Sequence, residues 1–227
     1  SVMDILQNGK QVVRRFTVAE GLTNKQILLL LNKTDGLTGK AVMPEKEGEL
    51  LPETYFFSFG DSRNSLIKRM HVGMKKFLSE SWKKRAPRLP ILNIKEAIIL
   101  ASIIEKETGR SAERARVAGV FVNRLRLNMK LQSDPTVSFS ITKGQVELRR
   151  ALSREDLETP SLYNTYYIKG LPPGPITNPG RAAIKAAMNP LNTDELYFVA
   201  NGKGGHIFSK NLDEHNRNVK KWRQMNK

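Results

Sequence analysis

Hydrophobic positions run almost unbroken from Ile94 to Ile104 and end in carboxylates, in the stretch Ala101-Ser-Ile-Ile-Glu-Lys-Glu-Thr108. Asn93 and Glu96 form a capping-box pair at its start, and Gly109 supplies the stop, so the pattern predicts a helix. At about 100° per residue, Leu100, Ile103 and Ile104 share a face with Glu107, while Glu105 lies about 200° away, on the side of Ile98 and Ala101. Two carboxylates so placed cannot share one task.

The remaining pattern is mixed. A helix over Val2–Gln7, a turn at Asn8-Gly9 and a strand from Gln11 to Thr17 precede a helix capped at Thr23 or Asn24 and running through Leu31. Residues 36–50 are polar and Gly-rich, a loop. Leu51–Phe57 reads as a strand, and Ser65–Trp82 as an amphipathic helix that a linker at Ala86–Pro90 joins to the carboxylate helix. Ser111 caps the next helix, with Val117, Val120, Phe121 and Leu125 as its buried stripe and Asn123 and Arg124 at the stripe's edge. Lys130–Val137 leads out extended, since Pro135 disfavours helix at Asp134; Gln132 and Asp134 then point to one side. Residues 160–180, dense in Pro, Tyr and Asn, form a rigid loop, and Asn178 with Pro179 starts a helix through Met188. A hairpin of Leu196–Ala200 and His206–Ser209 and a helix from Leu212 to Arg223 close the chain. The expected class is α+β, mixed helices with short strands and hairpins.

A carboxyl at the end of an apolar helix, like that of Glu107, is pushed toward its protonated form by desolvation and by the partial negative charge of the helix C-terminus. That is how a protein makes a general acid that holds its proton near neutral pH. A solvated Glu107 paired with Arg110 would have the opposite shift. The helix alone leaves both readings open.

Composition narrows the classes. The 227 residues hold no cysteine, which excludes disulfides, thiolate metal sites and a thiol nucleophile. His71, His206 and His215 lack ligand spacing, so neither a metal nor a cofactor is expected. No run of about 18 apolar residues is present, and Ser1 begins abruptly, as in an excised soluble fragment. The net charge of +16 calls for a polyanionic neighbour. The basic residues are dispersed and aromatics are 7%, so no nucleic-acid partner is expected. Teichoic acids, anionic lipid headgroups and peptidoglycan stem-peptide carboxylates would all satisfy the same field.

Taken in order, ASIIEKET (101–108), VAGVFVNRL (117–125), LQSDPTV (131–137), YNTY (163–166), GLPPGPITNPG (170–180), LYFVANGKGGHIFS (196–209) and HNRNV (215–219), with LPETY (51–55), resemble the endolytic murein transglycosylases of the MltG, or YceG-like, family. The likeness covers about residues 50–225. It implies a catalytic domain over residues 48–227, with residues 1–47 the remnant of a small LysM-like lobe. It further implies cleavage of the MurNAc–GlcNAc β-1,4 bond in glycan strands to 1,6-anhydro-MurNAc ends, with Glu107, not Glu105, as catalytic acid. Gln132, Ser133, Asp134, Asn164 and Tyr166 become candidate sugar and stem-peptide contacts, with loop-fixing hydrogen bonds as the alternative. Tyr163 would orient Glu107; Asn123 and Arg124 would brace the site or cap the helix edge; His206 would bind substrate or pack.

From the family also come a single membrane anchor missing from this fragment, placement on the extracytoplasmic face of the bacterial plasma membrane, and association with peptidoglycan synthases. A non-catalytic peptidoglycan-binding module, a nucleic-acid-binding protein and, within enzymes, a muramidase-type hydrolase remain the rival readings. If Asp134 lies near Glu107, the hydrolase becomes arguable.

Overall fold

The computed structural model describes residues 12–225, so the helix and turn expected over residues 2–9 lie outside it. Strand β1 (Arg14–Thr17) is followed by α1 (Asn24–Lys33), β2 (Thr54–Phe57), the long α2 (Arg63–Lys83), α3 (Ile94–Glu107) and α4 (Ser111–Arg126). Then come α5 (Asp134–Thr142), α6 (Arg154–Glu158), α7 (Arg181–Met188), the strands β3 (Tyr197–Ala200) and β4 (His206–Ser209), and α8 (Leu212–Met225). Both ladders are antiparallel pairs, β1 with β2 (Arg14 opposite Phe57) and β3 with β4 (Tyr197 opposite Ser209). The fold is α+β.

Helix α3 is the centre. Its residues from Ala97 to Glu105 are all buried, more than the single face that the helical projection allows. A helix this apolar all round belongs inside, and α2, α4, α5 and α7 surround it. Each fully buried Ile or Leu there stabilises the fold by about 1.5–3 kcal/mol. Asn93 caps its start, the side-chain oxygen accepting the Glu96 N–H at 2.9 Å. Glu96 completes only part of the expected box, since its carboxylate accepts the Leu92 N–H at 2.7 Å.

A smaller core gathers Phe16, Ile27, Leu31, Leu50, Phe57, Leu66 and Met70. It draws on residues from both sides of position 47, and α2 contributes to it and to the larger core. Asn178 ties the two together. Fully buried, it accepts the Leu50 N–H at 3.0 Å and donates to Asn24 Oδ1 at 2.9 Å and to the Leu22 carbonyl at 3.1 Å.

Four local expectations change. Helix α3 stops because Thr108 is extended (φ −144°, ψ 128°), and Gly109 is not left-handed. Ser111 is the first residue of α4, not its cap; Arg110 holds that position, and its N–H goes to Thr108 Oγ1 at 3.1 Å. The segment 130–137 is not extended throughout, since α5 begins at Asp134 with Pro135 in its first turn. There a missing N–H costs nothing, because first-turn donors lack intrahelical partners anyway. Asn178 does not cap α7, whose cap position is Gly180. Its side chain is committed to the junction of the cores, and the Gly180 N–H donates to Glu105 Oε2 at 2.7 Å.

The hairpin forms where it is expected, with Tyr197 opposite Ser209. Asn201 Oδ1 accepts the N–H groups of Lys203 (2.8 Å) and Gly205 (3.0 Å), which shapes its loop. Gly119, in the middle of α4, permits a close approach: a Cβ there would lie 2.5 Å from the Leu191 carbonyl oxygen.

Candidate active site

The last residue of α3 opens onto a cavity. Glu107, half-buried, lines a hollow of about 480 Å³ together with Arg124, Gln132, Asp134, Tyr166 and the hairpin. The other carboxylate of the motif has a different fate. Glu105 is buried against Arg114 (3.2 Å) and accepts the Gly180 N–H, so it holds α3 to α4 and to the start of α7. The two carboxylates of one helix end serve structure and site separately.

Ser133 Oγ donates to Glu107 Oε1 at 2.5 Å. Behind it stands a polar cluster with no exposure: the Ser133 N–H donates to Thr165 Oγ1 (2.9 Å), Thr165 Oγ1 meets Thr136 Oγ1 (2.8 Å), and Thr136 Oγ1 donates to the Ser133 carbonyl (2.6 Å). Every member is partnered, which fixes the Ser133 backbone beside the carboxylate. Gln132, just before it, has φ +51°, a conformation costly for a side-chain-bearing residue and held by its N–H to the Thr165 carbonyl at 3.1 Å.

Burial pushes the Glu107 carboxyl up to about 7; the Ser133 bond and the Arg124 guanidinium pull down, and the Asp134 charge pushes further up. Arg110 is not its partner, since that guanidinium reaches the Lys203 carbonyl across the hairpin loop. Arg124 is buried and braced by the carbonyls of Leu196 (2.7 Å) and Leu131 (2.8 Å), with Tyr197 under its guanidinium. Asp134 Oδ1 accepts the Tyr166 hydroxyl at 2.6 Å, and burial, then that bond, hold the phenol above its ordinary range.

The structure sorts the remaining candidates. Gln132, Ser133, Asp134, Tyr166 and Arg124 gather around Glu107, though Gln132 and Asp134 do so from a left-handed residue and a helix start, not from one strand face. His206 also lines the cavity, and its Nδ1 lies 2.8 Å from Glu113 Oε2. Three residues fall elsewhere. Tyr163 does not reach Glu107; it packs on Phe139 with ring centroids 4.9 Å apart, lining a different cavity. Asn164 is fully buried and donates to the carbonyls of Leu157 (3.0 Å) and Thr159 (2.8 Å), the loop-fixing alternative. Asn123 donates to the carbonyls of Thr193 (2.6 Å) and Glu195 (3.1 Å), which ties α4 to the approach of β3.

Sequence reasoning gave no role to Thr136 and Thr165, although both lie inside the LQSDPTV and YNTY motifs. It also gave no role to Tyr197 and His215, which stack at 5.1 Å on the cavity wall. Their only sequence signal was membership of the hairpin and terminal-helix motifs. Among the described residues, no group of three His, Cys, Asp or Glu side chains converges to hold a metal ion, and no helix is long and apolar enough to cross a membrane.

Comparison with known proteins agrees with this architecture. A protein of Bacillus subtilis (strain 168) named endolytic murein transglycosylase is 37% identical over 194 residues, 83% of this chain and 51% of its own length. A protein of the same name from Streptococcus pneumoniae serotype 2 is 34% identical over 177 residues, 76% of this chain and 31% of its own. The chain thus spans about half the length of the first relative and a third of the second. The crystal structure of a yceG-like protein from Listeria monocytogenes superposes with a TM-score of 0.73 at 32% identity, covering 95% of this chain and 80% of that one. The model of the YceG-like family matches residues 1–221, and the chain belongs to that family.

Proposed function

We propose that this chain is a peptidoglycan lytic transglycosylase that cleaves the MurNAc–GlcNAc β-1,4 bond within glycan strands. The observation that carries the reading is Glu107: a carboxyl raised to about 7, held by Ser133, at the mouth of a cavity lined with polar and aromatic groups. The relatives named endolytic murein transglycosylase support the reaction class.

In the first half of the reaction Glu107 donates its proton to the leaving O4 of GlcNAc as the C1–O4 bond breaks. In the second, its carboxylate takes the proton of the C6 hydroxyl while that oxygen bonds to C1. The products are a free GlcNAc end and a 1,6-anhydro-MurNAc end, and no water is consumed. One carboxyl suffices, because the substrate supplies its own nucleophile. Arg124 and the Ser133 hydroxyl stabilise the carboxylate form between the two halves. Peptidoglycan lies outside the cytoplasmic membrane, so the site works there.

Asp134 favours a second reading. Its charge is felt at Glu107 and it lines the same cavity, so it is placed to activate a water and make the reaction a hydrolysis. Digestion of intact peptidoglycan by the wild-type chain and by Glu107→Gln, with reducing ends read by mass spectrometry, separates these. Anhydro ends that disappear in the variant support the transglycosylase; products heavier by one water establish hydrolysis. Binding without products from either chain leaves a peptidoglycan-binding module.

A further inference from the structure

A cavity larger than the one at Glu107 lies elsewhere among the described residues. It measures about 900 Å³ and lies between the two cores, with Leu28 and Met43 from the smaller side and Met74, Leu78 and Ile98 from the larger. Clefts between packed units are where ligands are most often held. Five lysines line it: Lys25, Lys46, Lys75, Lys95 and Lys143. Among the described residues none of these ammonium groups is in an ion pair. Three carboxylates share the cavity, Glu45, Glu47 and Glu49, so the five lysines outnumber them by two. Glu47 faces the Asn24 N–H (2.8 Å) and the Asn178 amide (3.2 Å), and Glu49 faces His71 at 3.4 Å, not the lysines. An apolar lining under several free cations fits an amphipathic anion better than a bare polyphosphate, which would leave the apolar surface wet.

The cavity and the Glu107 site are lined from the same elements. Asp134 at one and Phe139 at the other stand five positions apart on α5, about 7.5 Å along the helix axis. Tyr163 and Tyr166 bear the same relation on the following loop. On α3, Ile98 and Glu107 stand nine positions apart, about 13.5 Å, which is close to the reach of about 13 Å of an extended four-residue peptide.

We infer that the cleft between the two cores is a binding site for an acidic peptide. The inference rests on the proposed function for the source of that peptide, which is then the stem peptide carried by the glycan strand at Glu107. The lysines hold its carboxylates and the apolar lining takes its small side chains.

The test is calorimetric titration of the whole chain with a free tetrapeptide, N-acetyl-Ala-γ-D-Glu-Lys-D-Ala. Its acetyl group stands in for the amide to the sugar. Saturable binding that weakens about tenfold or more in the double variant Lys75→Glu, Lys95→Glu, and disappears when both peptide carboxyls are amidated, supports the site. The matched change on α8, Lys220→Glu with Lys221→Glu, alters net charge equally and should leave affinity within about twofold. Equal losses in both double variants would reduce the effect to bulk charge and overturn the site. So would no binding to the wild-type chain, or tighter binding of a glycerol-phosphate oligomer than of the peptide. The titration needs no turnover. Anhydro products without peptide affinity remove the cleft alone, and peptide affinity without products removes the activity alone.

Discussion

The hydroxyl of Ser133 donates to the carboxylate of Glu107 at 2.5 Å, and the same serine's backbone is locked by Thr165 and Thr136. This bond favours the charged carboxylate, while burial favours the acid, and burial prevails. Ser133→Ala should therefore raise the Glu107 pKa and move the alkaline limb of the pH–rate profile upward, while lowering the maximal rate about tenfold through lost orientation. A profile that keeps its limb and loses only amplitude would place Ser133 on the substrate instead.

Glu107 and Glu105 should separate by readout. Glu107→Gln should lower product formation by about a thousandfold or more, because it removes the only acid of the proposed reaction, and should not lower stability; above about pH 7 it should raise it, since the buried charge is gone. Glu105→Gln leaves the buried Arg114 guanidinium with only the more exposed Glu20, at 3.4 Å, so unfolding free energy should fall, by at most about 3 kcal/mol. Urea unfolding of both variants beside the product assay distinguishes them.

Asp134 is the test of reaction type. Asp134→Asn removes a negative charge that raises the Glu107 pKa, so the alkaline limb should move downward. Under the transglycosylase reading anhydro products persist in this variant. Loss of all cleavage would make Asp134 the second catalytic carboxylate.

Glu47 gives a prediction about stability and pH. Its carboxyl is raised to about 7, mainly by burial, against a reference of 4.5. Between those values the unfolded chain has lost the proton and the folded chain keeps it, so stability falls as pH rises. The full effect is about 3 kcal/mol, complete above about pH 7 and absent below about pH 4.5. Glu107 adds a fall of the same sign. Glu47→Gln should flatten that part of the profile, measured as the urea midpoint between about pH 5 and pH 8.

Local order was what the amino-acid sequence could determine. The span of α3 follows from an unbroken apolar run with an asparagine at its start, and the hairpin from two short apolar strands around Asn-Gly-Lys-Gly-Gly. Those signals act between near neighbours, so the chain carries them whatever the rest does. Helix geometry put Glu107 and Glu105 on different faces, and only motif likeness ranked one above the other. Tertiary structure decided what each polar side chain is used for. Asn178 reads as a helix cap, Tyr163 as a neighbour of the acid and Pro135 as a helix breaker. Each was claimed by partners far along the chain, or sat where the local rule relaxes. A hydrogen bond such as Ser133 to Glu107 spans 26 positions and leaves no periodic trace. Burial, which sets the pKa of that acid, is a property of the packed core and not of any segment.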